Sequence, residues 1–281
     1  MVSVVRAGCR INEVECRSLL NKSGLADYAV NCYAGCEHRC VYCYARYATR
    51  FSHPSEVWGT FVDVKINAPQ VLAQELKRRR VGRVFISSVC DGWQPVEAQY
   101  GLTRQCLEML LRHGYSINIL TKSALAGRDL DLLVGKKRVS LGVTITTLNE
   151  SLYRFIEPRS SSPPKRLELL EEAKSKGLKT YAFLGPLMPY LSDTEESLLP
   201  LLRAVNEVGV DYFYVDQLNR RFGLWQALKN LFGEHFPELI PQYQRLFFDE
   251  TAREKYTTQL TLTVRGAVRK LGLSDKLTLC F

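Results

Sequence analysis

The chain has 281 residues, of which 46% are hydrophobic and 24% charged, a composition typical of a globular protein with one large domain or two small ones. Its net charge of +9 favours a polyanionic partner such as nucleic acid, although a positive balance also serves solubility. No apolar run is long enough to cross a membrane, and charge interrupts the N-terminal segment too early for a secretory signal. We therefore expect a cytoplasmic protein without membrane contact.

Short apolar runs alternate with helical patterns along the chain. The runs are rich in β-branched and aromatic residues and are bounded by glycine, lysine or aspartate, as strands commonly are. They predict six strands, at residues 28–33, 83–88, 115–122, 139–147, 179–188 and 210–219. Three of the helices between them are predicted at residues 99–114, 163–177 and 192–209. Ser192 or Asp193 is expected to cap the third of these helices.

This alternation of strands and helices predicts an α/β fold with a parallel sheet. Six β/α units that lead into a helical tail fit an open, partial (β/α)6 TIM-like barrel better than a closed barrel of eight units. We expect an N-terminal extension over residues 1–24, the barrel over 25–222, and a helical C-terminal extension over 223–281 that packs on the barrel. In such folds ligands bind at the carboxyl ends of the strands.

Cys36, Cys40 and Cys43 form a C-x3-C-x2-C run directly after the first predicted strand. Clustered thiols in a reducing compartment indicate a metal, cluster or redox function rather than a disulfide framework. Zinc prefers four ligands, usually from two close pairs, and no second pair is evident. Three thiolates suit a four-iron cluster in which one iron stays open for a substrate or cofactor. Within the run, His38 is interpreted as a polar loop residue.

With Tyr42 at its aromatic position, this run resembles the C-x3-C-x-aromatic-C signature of the radical S-adenosylmethionine (SAM) superfamily. The resemblance implies a partial barrel, a [4Fe–4S] cluster held by the three cysteines, and SAM bound at the open iron, with Tyr42 beside the cluster and the adenine. In that superfamily the cluster gives one electron to SAM, and the resulting 5′-deoxyadenosyl radical takes hydrogen from a substrate. An electron donor such as flavodoxin or ferredoxin is implied as a partner.

Further segments resemble the spore photoproduct lyase group of that superfamily, often labelled DNA-repair-photolyase-like. They include GCEHRCVYCYAR, SSVCDGWQPVE, LTKSALAGRDLDLL, IEPRSSSPPKRLE and GPLMP, and the likeness spans roughly residues 18–190. The resemblance implies SAM contacts at the strand ends, from Ser88, Asp91, Lys122, Thr144 and Arg159. Lys122 is expected to pair with the SAM carboxylate, for which an ammonium group is a suitable partner.

The sequence departs from the lyase at one position. In the lyase, a cysteine after the second strand donates hydrogen to the product radical, and two tyrosines beside the cluster relay it. Tyr42 and Tyr44 match those tyrosines, but the cysteine position aligns with Ser88. Cys90, two residues further on, is a candidate hydrogen donor or a small buried hydrophobic residue. This departure counts against thymine-dimer repair as the reaction.

The sequence therefore predicts a radical SAM enzyme of a lyase-like or modifying type, with DNA or RNA as the leading substrate class. A peptide or small metabolite is the alternative substrate. An alternative of another class is a non-catalytic, metal-bearing nucleic-acid-binding protein, which does not need a barrel. A second cluster built from Cys9, Cys16, Cys32 and Cys280 is disfavoured, because these cysteines are far apart in the sequence and cluster ligands usually include close pairs.

Overall fold

The computed structural model describes residues 3–6, 8–221 and 223–281. Within these residues the strands are β1 Ser3–Arg6, β2 Cys9–Val14, β3 Asn21–Lys22, β4 Tyr28–Val30, β5 Tyr33–Gly35, β6 Phe61–Lys65, β7 Arg83–Ile86, β8 Ser116–Thr121, β9 Val139–Thr144, β10 Lys179–Leu187, β11 Tyr212–Gln217 and β12 Leu277–Leu279. The α-helices are α1 Ala68–Leu76, α2 Glu97–Tyr100, α3 Leu102–Arg112, α4 Leu130–Leu133, α5 Glu150–Ile156, α6 Pro163–Ser175, α7 Glu195–Val208, α8 Leu224–His235, α9 Ile240–Phe248 and α10 Glu250–Lys270.

The larger sheet has the strand order β12-β11-β10-β9-β8-β7-β4-β3. All neighbours from β4 to β12 pair in parallel, and only β3 runs antiparallel to β4. The parallel strands therefore end at one common edge. Among the described residues no pairing joins β3 to β12, so the sheet stays open. This arrangement confirms the predicted partial barrel with a parallel sheet.

The first predicted strand, residues 28–33, is wrong as a single strand. It divides into β4 and β5, and β5 pairs antiparallel with β6 in a second sheet of order β1-β2-β6-β5. The break falls at Asn31 and Cys32, whose carbonyl groups accept hydrogen bonds from Lys65 Nζ at 2.8 Å and Lys65 N at 3.1 Å. These bonds direct the chain into the second sheet. The second sheet thus positions the segment that enters the cysteine run.

The helices α3, α6 and α7 lie within the predicted ranges, but the expected cap of α7 is wrong. Thr194 is the N-cap, and its side chain accepts a hydrogen bond from Ser197 N. Ser192 Oγ instead accepts from Met188 N at 2.9 Å. Asp193 accepts a hydrogen bond from Tyr256 on α10 at 2.8 Å. Both expected cap residues are thus engaged in other contacts.

The C-terminal segment contributes helices and one further strand. The helix α10 packs against α7 and α9, and β12 adds a seventh parallel strand next to β11, which the sequence did not predict. Leu224, Leu228, Phe232 and Tyr243 of α8 and α9 share an apolar cluster with the cysteine-run residues Cys40 and Tyr42. The division into three domains stays a prediction. No helix in the described part of the chain combines the length and apolar character of a membrane span.

Candidate functional site

The three cysteines lie on a loop, residues 36–43, which we call the three-cysteine loop. It begins after Gly35, which has φ +83° and whose Cβ position lies 2.4 Å from Phe61 O, so only glycine fits there. Glu37 N donates to Gln94 Oε1 at 2.8 Å, and Val96 N donates to Glu37 Oε2 at 2.5 Å. These buried side chains clamp the loop onto the segment that follows β7.

The thiols of this loop lie in a region that is largely shielded from water. Cys36 and Cys40 are buried and Cys43 is half-buried. Burial raises the pKa of Cys36, and Asp91, Cys40 and Cys43 raise it further. Among the described residues, no group of three or more cysteine, histidine, aspartate or glutamate side chains is close enough together to hold a metal ion. The donor set itself fits an iron–sulfur cluster, because it offers three neighbouring soft thiols on one short loop.

The middle of the loop is fixed by a buried network. Tyr42 Oη donates to Glu157 Oε1, and Thr146 Oγ1 lies 3.1 Å from Tyr42 Oη and 3.0 Å from Glu157 Oε1. A backbone hydrogen bond joins the same two segments, since Val41 N donates to Ile156 O at 2.9 Å. The loop is therefore attached to the region after β9 as well as to the region after β7.

The network continues into an ion pair between Glu157 and Arg166, which are 1% and 0% exposed. Arg166 Nη2 donates to Glu157 Oε2, and Arg166 Nη1 donates to Thr144 O at 2.7 Å. Burial would raise the pKa of Glu157, but Arg166, Lys122 and the hydrogen bonds outweigh burial and hold that pKa at about 2. The carboxylate is ionised at neutral pH.

Neither Glu157 nor Arg166 was predicted from the sequence as a site residue. One signal was present: on α6, Arg166 lies among the buried positions Pro163, Leu169, Leu170 and Ala173. A charged residue on the apolar face of a helix indicates a buried partner. The charge of Glu157 gave no such signal by itself.

Lys122 follows β8, where the sequence placed a SAM contact. Its Nζ lies 5.7 Å from the centroid of the Tyr42 ring. Burial lowers the pKa of Lys122, but Cys40, Glu157 and Cys43 outweigh burial and raise it. Within the described residues, Lys122 Nζ has no ion pair or hydrogen bond with a protein group. The structure thus brings to the three-cysteine loop a charged ammonium group that forms no ion pair or hydrogen bond among the described residues.

Asp91 binds protein groups with both of its carboxylate oxygens. Oδ1 accepts from Trp93 N at 2.9 Å and from Thr121 Oγ1 at 2.7 Å. Oδ2 accepts from Lys122 N at 2.7 Å and lies 3.4 Å from His38 Nδ1. Asp91 therefore joins the ends of β7 and β8 to the three-cysteine loop. His38 is buried, and burial lowers its pKa although Asp91 opposes this effect.

Ser88 and Cys90 are both held by Asn31, a residue that the sequence analysis missed. Asn31 Nδ2 donates to Ser88 Oγ at 2.8 Å, and Cys90 Sγ lies 3.5 Å from Asn31 Oδ1. Burial raises the pKa of Cys90 to about 12, so this residue is a thiol at neutral pH. Tyr44 is 40% exposed and donates to Ser88 O at 2.5 Å. Tyr44, Ser88 and Cys90 thus lie in one region.

The remaining predicted residues lie around this region. Thr144 is buried at the end of β9. Arg159 is half-buried, and its Nη2 lies 3.7 Å from the Cβ position of Gly8, so it faces the turn between β1 and β2. The four cysteines considered for a second cluster do not share one site: Cys280 follows the edge strand β12, whereas Cys32 contacts Cys106 in the core, with 3.7 Å between the sulfurs.

Comparisons with known proteins agree with this geometry. Residues 30–202, more than half of the chain, match the Radical SAM superfamily. An uncharacterised protein of Methanocaldococcus jannaschii is 31% identical over 85% of this chain and 86% of its own length. One of Mycobacterium tuberculosis is 32% identical over 88% of this chain and 77% of its own length.

Among solved structures, spore photoproduct lyase complexed with dinucleoside spore photoproduct is similar in fold. The TM-score is 0.72 at 17% identity, covering 96% of this chain and 82% of the lyase. A variant of that lyase with bound AdoMet and the same dinucleoside gives a TM-score of 0.70 at 16% identity, with the same coverage.

An open parallel barrel with a three-cysteine loop at the carboxyl ends of its strands defines a SAM-dependent radical enzyme. The chain belongs to the radical SAM superfamily. Membership implies that it uses SAM and an iron–sulfur cluster. The predicted superfamily, fold and enzyme class are therefore confirmed.

Proposed function

We propose that Cys36, Cys40 and Cys43 hold a [4Fe–4S] cluster and that SAM binds between the three-cysteine loop and the carboxyl ends of β7, β8 and β9. The observation that carries this proposal is the position of Lys122 Nζ, which lies over the Tyr42 ring and forms no ion pair or hydrogen bond among the described residues. When bound and reduced, the cluster supplies the electron that cleaves SAM to a 5′-deoxyadenosyl radical, which takes hydrogen from the substrate.

The surrounding side chains divide into SAM ligands and positioning residues. Lys122 pairs with the SAM carboxylate, since its ammonium group forms no ion pair or hydrogen bond among the described residues and can therefore accept an anion. Ser88 and Thr144 line the same strand ends, and Arg159 lies beyond them. Asp91 acts through Lys122, because its carboxylate binds the Lys122 backbone N–H at 2.7 Å. The residues of the site thereby bind and orient SAM.

For hydrogen transfer, we propose Tyr44 and Cys90 as the residues that act on the substrate radical. The partly exposed phenol of Tyr44 and the thiol of Cys90 both lie near Ser88, and S–H bonds are weak. The Tyr42 hydroxyl donates to the ionised Glu157. This contact favours a role for Tyr42 in positioning the three-cysteine loop beside the cluster and SAM.

The substrate class is proposed to be nucleic acid, DNA or RNA. Two observations support it: the net charge of +9, and the similarity in fold to a lyase solved with a dinucleoside. A peptide or a small metabolite is the second candidate. Binding that weakens steeply with salt supports a nucleic acid, because bound cations are released when phosphates are neutralised. A flat salt response supports the second candidate.

The electron is proposed to come from a small carrier such as flavodoxin or ferredoxin in the cytoplasm. Support comes from the chemistry itself, which needs one electron for each SAM cleaved, and from the nine cysteines of the chain, none of them in a disulfide among the described residues. Thiols of this kind persist in a reducing compartment.

The proposed cluster ligands are tested by iron content and visible absorption after anaerobic reconstitution with iron and sulfide. Cys36→Ala, Cys40→Ala and Cys43→Ala are each expected to lose most of both signals. Cys280→Ala is the matched control, because Cys280 is exposed and follows the edge strand β12. Full iron content and absorption in all three variants contradict the assignment.

A further inference from the structure

A cavity of about 680 Å³ opens at the carboxyl end of β11, and we call it the β11 cavity. Asp216 and Gln217 line it from β11, Arg253 and neighbouring residues line it from the start of α10, and Phe281 lines a third side. None of the residues assigned to SAM lines this cavity. Its volume lies within the range of about 300–1,000 Å³ that is common for ligand sites.

Arg253 lines this cavity and carries an unused hydrogen-bond donor. The residue is 7% exposed, and its Nη2 donates to Leu218 O at 2.7 Å. Its Nη1 is buried and has no hydrogen-bond partner among the described residues. Leaving a buried donor unpaired is costly, and more so when the group is charged. A group that supplies an acceptor and a negative charge would satisfy it.

A second guanidinium group lies beside Arg253. Arg220 donates to both carboxylate oxygens of Glu250, at 2.8 and 3.1 Å. This pairing fixes Arg220 at the cavity wall and leaves the charge of Arg253 without a comparable partner. Burial lowers the pKa of Arg253, and Arg220 lowers it further, but an arginine side chain remains protonated in proteins. The wall carries the carboxylates of Asp216, Glu250 and Glu254 beside the guanidinium groups of Arg220, Arg221 and Arg253. The positive charge that remains for a ligand is therefore that of Arg253, whose Nη1 has no described partner.

Direct contacts connect the β11 cavity to the three-cysteine loop. A Cβ at Gly185 would lie 2.9 Å from Asp216 O, so the end of β11 packs closely against Gly185. Gly185 O lies 3.2 Å from Thr146 Oγ1, which in turn lies 3.1 Å from Tyr42 Oη. A molecule held in the cavity is therefore separated from the proposed SAM site by only a few side chains.

We propose that the β11 cavity binds a phosphate group of the substrate through Arg253 and so places the rest of the substrate beside SAM. This inference rests on the proposed nucleic-acid function and adds to it a defined subsite. A guanidinium group matches the geometry of phosphate oxygens, and the net charge of the chain favours phosphate-rich partners. Asp216 repels an anion, so its carboxylate restricts the phosphate to the Arg253 side.

The test measures the affinity of the anaerobically reconstituted protein, with SAM present, for a fluorescein-labelled single-stranded DNA decamer. A second probe is the same decamer with uncharged methylphosphonate linkages. Arg253→Met is expected to weaken binding of the charged decamer about tenfold and to leave the uncharged decamer unaffected. Arg269→Met is the matched control, because Arg269 is exposed near the other end of α10 and its loss changes the net charge equally.

A second variant separates binding from misfolding. Asp216→Asn keeps the oxygen that accepts the hydrogen bond from Gln217 N and removes the negative charge, so we expect tighter binding of the charged decamer, by about threefold. Misfolding does not tighten binding. Equal losses in Arg253→Met and Arg269→Met, or no tightening in Asp216→Asn, overturn the subsite. An oligoglutamate peptide that binds more tightly than the decamer, with the same dependence on Arg253, overturns the assignment to phosphate.

The binding assay does not depend on SAM cleavage, so the two proposals fail separately. If the unaltered protein forms no 5′-deoxyadenosine but the two variants shift affinity as expected, the phosphate subsite stands and the radical reaction on nucleic acid is contradicted. If 5′-deoxyadenosine forms with nucleic acid and neither variant shifts affinity, the proposed function stands and the subsite is contradicted.

Discussion

Arg166 donates a hydrogen bond to the carboxylate of Glu157 in an ion pair that is almost fully shielded from solvent. Glu157 also accepts a hydrogen bond from Tyr42. A charge pair thus reaches from α6 to the centre of the three-cysteine loop. Buried ion pairs seldom add much stability over apolar residues, but removing one partner is costly because the other charge is left unpaired. We infer that this pair sets the position of the loop.

The first prediction concerns this ion pair. Glu157→Gln is expected to destabilise the protein by about 3–5 kcal/mol, because Arg166 then remains buried without a counter-charge. The measurement is urea denaturation of the reconstituted protein at pH 7. Glu150→Gln is the control, since Glu150 forms an exposed pair with Arg154, and such pairs contribute about 0–1 kcal/mol. Equal midpoints for the two variants would show that the pair does not support the loop.

The second prediction concerns Lys122. Lys122→Met is expected to weaken SAM binding tenfold or more, because the SAM carboxylate loses its counter-charge. Iron content and visible absorption should stay unchanged. SAM affinity is measured by equilibrium dialysis, with Lys137→Met as the control, since Lys137 is exposed. An unchanged affinity in Lys122→Met removes Lys122 from the SAM site.

The third prediction concerns hydrogen return to the substrate. Cys90→Ala is expected to continue cleaving SAM while an altered product accumulates, because the substrate radical has lost its hydrogen donor. Products are compared by mass spectrometry. Cys106→Ala is the control, since Cys106 is a buried thiol that contacts Cys32 in the core. If Cys90→Ala gives the normal product, Cys90 is a packing residue.

The fourth prediction concerns the effect of Asp216 on the stability of the protein as a function of pH. Burial raises the pKa of Asp216 to about 6, although the hydrogen bond from Gln217 N and the charge of Arg253 act to lower this pKa. Tyr44 and Cys280 also lie near this carboxyl group. A raised folded-state pKa means that the folded protein favours the neutral acid. Stability is therefore lost as pH rises from the unfolded value near 4 through 6.

Asp216→Asn has no such charge to bury. We expect it to be more stable than the unaltered protein by about 1–2 kcal/mol at pH 8, allowing for partial exposure, and nearly equal to it at pH 4. Urea denaturation at the two pH values provides the measurement. A constant difference between the proteins at both pH values would contradict the raised pKa.

The barrel was predictable from sequence because each central strand is a short apolar run between turn residues. The second sheet was missed, since β2 and β6 are short and pair with each other only across 50 residues. The strand β12 has three residues, too few for a pattern. These elements depend on tertiary pairing rather than on local preference.

The cysteine run was also predictable from the sequence, because the spacing of metal ligands is a local pattern. The residues that hold the three-cysteine loop in place were not predictable. Glu157 and Arg166 are charged, and charged residues usually lie at the surface. Asn31 sits where one strand was predicted and acts through contacts with residues 57 to 59 positions away. Such partners become visible only when the fold brings distant segments together.

The most direct test of radical SAM chemistry at the three-cysteine loop is 5′-deoxyadenosine formation under anaerobic conditions. The protein is reconstituted with iron and sulfide, reduced with dithionite, and given SAM with DNA, RNA or peptide pools in turn; the product is detected by mass spectrometry. We predict 5′-deoxyadenosine from the unaltered protein and from Cys106→Ala, because the Cys106 thiol lies in the core beside Cys32. We also predict its loss in Cys36→Ala and a higher yield with nucleic acid than with peptide. An intact cluster that yields no 5′-deoxyadenosine with any pool would contradict the account.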